Sequence, residues 1–231
     1  MLHKKLKTSF IRLAATAVAF TLIFSATVYA QGSEPTSAKE FFRSIKGEWI
    51  GTCEQSTDGE QAENKYFYAK IKQIDDHTFD GQFEYYRLDK DTGNPVKAGT
   101  TSISIDIGPD GTAKSKMSGQ GMMFVNKQLK QQKHELAEVF IAADGKLHGQ
   151  GSGTISVANM PLGLGKNGKI KNCSSDWSLK NDTLIINQTV KAGFKAFVFS
   201  KSFDVAAKYT ATRGSDVVSL MTGKLRIARR A

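Results

Sequence analysis

Two cysteines, Cys53 and Cys173, and three histidines beyond residue 30, His77, His134 and His148, are the residue types in this 231-residue chain best suited to act as nucleophiles, general bases or metal ligands. Their spacing asks for none of these roles. His134-Glu135-Leu136-Ala137-Glu138 lacks the second histidine of a zinc-binding HExxH helix. His77 follows Asp75-Asp76 in turn-like sequence and reads as solvated. His134 and His148 are centred on residue 141, off the Asp144-Gly145 turn that would have to bring them together. Asp89-Lys90-Asp91-Thr92-Gly93-Asn94 opens like a calcium loop. It then has Gly93 in place of an oxygen ligand, Asn94 in place of the turn glycine and Thr100 in place of the closing glutamate. There is no GxSxG nucleophile elbow, and Gly149, Gly151 and Gly153 alternate without forming GxGxxG. The expectation is no catalytic residue, no metal and no cofactor.

The leader decides how the cysteines are read. Lys4, Lys5, Lys7 and Arg12 precede an apolar run from Leu13 to Phe24, and Val28-Tyr29-Ala30 offers small residues at −3 and −1. This is the pattern of a secretory signal peptide cut after Ala30. Leu13 to Ala30, diluted by Thr16, Thr21, Ser25 and Thr27, is marginal for a span, which needs roughly 20 apolar residues. A periplasmic or secreted location follows as an expectation. In an oxidising compartment two cysteines predict one disulfide, Cys53–Cys173, which would stabilise by about 4–5 kcal/mol through loop closure. Much of the formal charge of +10 sits in that leader and in Lys224, Arg226, Arg229 and Arg230. Residues 31–36 read as a flexible start and 214–231 as a basic C-terminal segment suited to an anionic envelope surface. The expected compartment argues against nucleic acid.

The elements between these ends are mostly strands. Ser37 to Ile45 reads as a short helix, capped by Ser37 with Glu40 at the capping-box position. After Gly47, apolar and polar residues alternate, as at Phe67/Ala69/Ile71, Phe79/Phe83/Tyr85 and Ile103/Ile105/Ile107. That period marks strands with one face buried. Asp58-Gly59, Asp110-Gly111 and Asp144-Gly145 suit hairpin turns. Gln128 to His134 is ambiguous between a polar loop and a helical turn. The alternating glycines at 149–153 suggest a sharp bend. Met160 to Gly168 reads as an apolar, glycine-rich loop able to cover a barrel mouth. Ten or eleven strands with almost no helix between them predict an all-β antiparallel up-and-down barrel over residues 37–213, with a β-sandwich as the alternative.

A short helix followed by Gly47-Glu48-Trp49 at the start of the first strand resembles the Gly-x-Trp opening of lipocalin-like (calycin) barrels. The resemblance implies a tryptophan across the closed end, an apolar ligand toward the open end, and a basic residue over the tryptophan, for which Arg213 is the candidate. Strand parity nominates Trp49, Phe67, Phe83, Tyr85, Ile105, Val139 and Trp177 as inward, ligand-facing residues, with Met117, Met122 and Met123 adding adaptable apolar surface. Trp49 lies four residues before Cys53 and Trp177 four after Cys173. This symmetry predicts that the first strand pairs antiparallel with the strand from Cys173 to Leu179.

The function expected is that of an exported binding protein for a small apolar or amphiphilic molecule, which calls for a cavity of roughly 300 Å³ or more. The alternatives are an envelope interaction domain with a filled interior and, less favoured, a secreted hydrolase or isomerase.

Overall fold

A computed structural model describes residues 36–61, 64–89, 91–125, 128–158, 167–196 and 199–223. Residues 1–35, including the stretch read as a leader, most of the Met160–Gly168 loop and the basic residues from 224 onward lie outside the described set.

Helix α1 (Ala38–Ser44) begins where the sequence places its cap: the Ser37 hydroxyl accepts from the Glu40 amide at 3.2 Å. Glu40 reaches back one residue further than a capping box requires, accepting from the Thr36 amide at 3.0 Å and the Thr36 hydroxyl at 2.7 Å. Eleven strands follow: β1 (Gly47–Thr57), the two-residue β2 (Glu60–Gln61), β3 (Lys65–Gln73), β4 (Thr78–Leu88), β5 (Pro95–Ile107), β6 (Ala113–Val125), β7 (Gln128–Ala143), β8 (Lys146–Val157), β9 (Asn167–Lys180), β10 (Thr183–Ala196) and β11 (Phe199–Arg213). The polar stretch 128–134 is therefore strand, the first half of β7. Setting aside β2, which only extends the edge of β1, each strand pairs antiparallel with its chain neighbours. β11 returns to β1 and closes a ten-stranded up-and-down barrel.

That closure corrects two expectations. β1 pairs with β11 and β3, not with the strand carrying Cys173. Cys53 faces Tyr209 and Lys65, while Cys173 faces Val190 and Gly151. Strands β10 and β11 intervene, and both cysteines are free thiols. The Trp-Cys symmetry is a coincidence of sequence. In an up-and-down barrel the last strand, not the third from last, must close on the first.

The two ends differ. Tight turns gather at the end where α1 sits. Asp144 and Gly145 have φ of 51° and 69°, and Asn181 and Asp182 have 47° and 57°, the left-handed pairs a two-residue hairpin favours. α1 plugs this closed end with Phe41, Phe42 and Ile45, all buried. The Phe42 ring meets those of Phe79, Phe140 and Trp177 at centroid distances of 5.7, 6.0 and 6.1 Å. A fully buried phenylalanine contributes about 2–3 kcal/mol relative to exposure, so this aromatic plug anchors the fold. Outside, helix α2 (Val217–Met221), at the start of the expected basic segment, packs Val217, Leu220 and Met221 onto Ile50 and the outer faces of Tyr66, Tyr68 and Tyr86. Among the described residues no helix is long and apolar enough to cross a membrane.

At the open end the wall divides. β5 and β6 pair only as far as Thr100–Gln120. Beyond that point β5 stays with β4, and β6 with β7.

Candidate ligand-binding site

The inward side chains form two layers. The layer near α1 is packed solid, and it contains Trp49, Ile105 and Trp177 of the expected ligand residues. Trp49 donates its indole N–H to the Ile45 carbonyl at 2.8 Å. Phe67 and Phe83 lie above, their rings 6.4 Å apart, and support the floor of the next layer. Val139 is a correction: it is 43% exposed on the outer wall, and its neighbours Glu138 and Phe140 point inward instead.

The layer toward the open end holds a cavity of about 140 Å³. Of the seven nominated residues only Tyr85 lines it. Its aliphatic wall comes from Leu136, Ile155, Ile170, Val190 and Val205, with Met117 and Met122 alongside. Its polar lining includes Cys53, Lys65, Tyr85, Thr101, Gln188 and Tyr209, with Gln55, Gln120, Gln132 and His134 beside them. Lys65 is almost fully buried, and its ammonium donates to the Gln55 side-chain oxygen and to the Met122 carbonyl, each at 2.9 Å. Tyr85 hydrogen-bonds Thr101 and Tyr209, and Tyr209 hydrogen-bonds Cys53. Burial pushes the Tyr85 phenol up to about 12 and holds Tyr209 well above its ordinary range. Burial also raises the Cys53 thiol to about 11, against the pull of nearby Lys65. All three are therefore neutral donors at physiological pH, and Cys53 is not a thiolate nucleophile. Five lining residues, Ala98, Gln120, Gly121, Met122 and Gln132, also border a groove of about 480 Å³ at the rim. The cavity thus continues outward beside the divide between β5 and β6.

Beneath the cavity lies a polar group that alternation alone would have placed outside. Glu138 is 2% exposed and accepts from the Ser175 hydroxyl at 2.9 Å and the Cys173 thiol at 3.5 Å. Gln188, on the cavity wall, donates to the Cys173 sulfur at 3.5 Å and links the two levels. The second Glu138 oxygen and the hydroxyl of Ser115, its direct cross-strand partner, make no hydrogen bond within the described protein. Burial raises the Glu138 pKa, offset in part by Ser175 and Cys173. Gly149 and Gly151 make the room: a Cβ on Gly151 would fall 2.8 Å from Glu138 Cγ, and one on Gly149 2.4 Å from Ser175 Oγ. The expected bend is also present, as a register shift between Gly151 and Gly153. A glutamate flanked by small cross-strand partners was the signal that parity reasoning passed over.

The histidines are dispersed. His134 lines the cavity 3.2 Å from the Gln132 oxygen, and burial lowers its pKa, which favours the neutral ring. His148 meets Asp176 at 2.6 Å on the exposed outer wall. His77 sits in a turn whose amides are bound by Asp75. Asp89, of the calcium-like stretch, accepts from the Asp91 and Thr92 amides and the Thr92 hydroxyl. Its carboxylate is engaged in closing its own turn. No cluster of three metal-ligating side chains occurs among the described residues.

No protein-family model matches the chain, and no curated protein sequence does. Among solved structures, the barrel is similar to Rv2717c from M. tuberculosis, with a TM-score of 0.47 and 8% identity over 78% of this chain and all of that one. It is also similar to the S-type phycobiliprotein lyase CPES from Guillardia theta, with a TM-score of 0.42 and 12% identity over 79% of this chain and 96% of that one. These likenesses concern the course of the backbone and lend nothing to the reading of the cavity.

Proposed function

We propose that this protein is a lipocalin-like carrier that holds a small amphiphilic molecule in its interior, and that it is exported by a leader cut after Ala30. The observation that carries the binding reading is the cavity wall. A buried ammonium and two neutral phenols line, with several amides, a space whose remaining wall is largely aliphatic side chains. An apolar pocket with a few convergent polar groups is how such ligands are generally held. Three features define the ligand class. The cavity is smaller than the 300 Å³ expected of a general carrier, and near the roughly 150 Å³ that accommodates benzene. The buried portion of the ligand is therefore a single ring or short acyl chain. The polar groups of Lys65, Tyr85 and Tyr209 on that wall suit a ligand head rich in oxygen, such as a carboxylate. Any longer tail leaves along the rim groove.

Native mass spectrometry of the protein exported with its own leader, before and after denaturation, tests both parts. A denatured mass starting at Gln31 and a folded mass larger by one discrete small molecule are expected. Benzoate and hexanoate should raise the melting temperature of the emptied protein, and Lys65→Met should abolish that rise. A ligand-free folded mass together with no stabilisation by either acid overturns the carrier reading. A mass that retains residues 1–30 overturns export.

A further inference from the structure

Across the strands from β5 to β11, toward the open end, the wall is hollowed into a trough of about 1130 Å³. Lys133, Lys169, Lys171, Lys195 and Lys201 line it against the single carboxylate of Glu135. The first four are exposed and alternate along their strands with inward residues such as His134, Ile170 and Phe194, so they face outward. None of the five makes an ion pair among the described residues. On other parts of the wall, Lys70 pairs with Glu48, Lys97 with Glu84 and Lys191 with Asp204. Gly193 lets Lys171 lie along the trough, since a Cβ there would meet the Lys171 stem at 3.0 Å. The register aligns Thr154, Lys169, Gly193 and Ser202 in one line across four strands. The lysines stand on β7 (Lys133), β9 (Lys169 and Lys171), β10 (Lys195) and β11 (Lys201), so they are spread across the strands of the trough and not along one of them.

We propose that this trough binds an extended acidic polysaccharide. A concavity concentrates the field of its lysines on a chain that can enter it. A flat bilayer surface cannot follow the hollow. Single-stranded nucleic acid is held largely by stacking on aromatic faces, and the aromatic residue in the trough, Phe194, is fully buried. Hydroxyl and amide groups between the lysines, from Ser118, Thr154, Asn167 and Ser202, suit sugar hydroxyls. The site lies across the wall from the interior cavity, and the proposal stands whether or not that cavity carries a ligand.

The test is calorimetric titration of the full mature chain with a heparin dodecasaccharide, the sulfated probe, at low and high salt. Wild type is compared with K169S/K171S/K195S and with K72S/K146S/K180S, which removes the same charge from exposed positions outside the trough. Wild type and the second variant should bind within threefold of each other. The trough variant should lose at least tenfold, and added salt should weaken binding by screening. Circular dichroism checks that both variants fold, with the single changes K171S and K195S as substitutes should a triple variant fail. Absence of heparin binding by wild type overturns the proposal, as does equal loss in the two triple variants. Tighter binding of oligo-dT or of phosphatidylglycerol vesicles than of heparin also overturns it.

Discussion

The Arg213 guanidinium lies over the Trp49 indole, its central carbon 4.0 Å from the ring centre. The two residues are direct partners across the β1–β11 seam. Arg213 also donates to the Ser44 carbonyl at 2.6 Å and to the Lys46 carbonyl, and so ties the end of α1 to the barrel floor. Stacking and charge-assisted hydrogen bonds contribute here together. Arg213→Ala should destabilise by about 1–3 kcal/mol in urea titration. Arg213→Lys should recover little, because it lacks the planar fork. Gly47→Ala should cost a comparable amount, since Gly47 has φ of 113° and its Cβ would fall 2.8 Å from Arg213 Nη1. Wild-type stability in Arg213→Ala would show that this contact is idle.

Glu138 should make stability fall as pH rises. Its folded pKa is raised by burial, so its contribution is full below the unfolded carboxyl value and is lost as pH climbs through the folded one. Glu138→Gln removes that loss. The melting temperature of the variant relative to wild type should therefore rise as pH climbs above the ordinary carboxyl range and level off once pH passes the raised folded value. A difference independent of pH would mean that Glu138 titrates normally.

The thiols should behave as buried, unbonded and unreactive. Burial pushes the pKa of both Cys53 and Cys173 upward, in Cys173 with help from Glu138. Ellman's reagent should label neither quickly in the native protein, and both once guanidinium unfolds it without reductant. Two unreactive sulfurs in the unfolded chain would restore the disulfide and refute the free pair.

Glycines 151 and 153 should be intolerant of any side chain. A Cβ at Gly151 would fall 2.0 Å from the Ala137 carbonyl oxygen, and one at Gly153 1.9 Å from that of Glu135. These are backbone contacts across a strand pair and cannot give way without breaking register. Alanine at either site should cost about 3 kcal/mol or more, in the range of the most damaging single changes. Gly121, where the nearest atom would be 3.7 Å away, should accept alanine with little effect on thermal unfolding.

Local chemistry was legible wherever one residue type has one physical use. Ser37 marked the start of α1, Asp144-Gly145 marked a hairpin, and Gly47-Glu48-Trp49 with Arg213 marked the closed end. Parity placed Trp49, Phe67, Phe83, Ile105 and Trp177 inside, yet burial alone could not say which level of the barrel is packed and which is hollow. Val139 failed for a different reason. In Leu136 to Ile141 both phases of the strand carry apolar residues, and the polar Glu138 shares the buried one. Only the facing glycines and Ser175, eleven to thirty-seven residues later in the chain, make that phase habitable. The cysteine pairing failed because symmetric spacing says nothing of how many strands stand between.

Among the described strands, the seam between β1 and β11 is the one pairing that joins distant parts of the chain; setting aside the short β2, every other pairing joins successive strands. Assembly can therefore proceed by zipping hairpin onto hairpin, with the entropic cost of ring closure concentrated in a single late event. The seam also brings the start of β1 beside the end of β11. A short linker from there to α1 would let the chain be reopened at an open-end connection such as the turn at Asp91–Thr92 between β4 and β5, giving a circularly permuted barrel with the same walls and a different folding order.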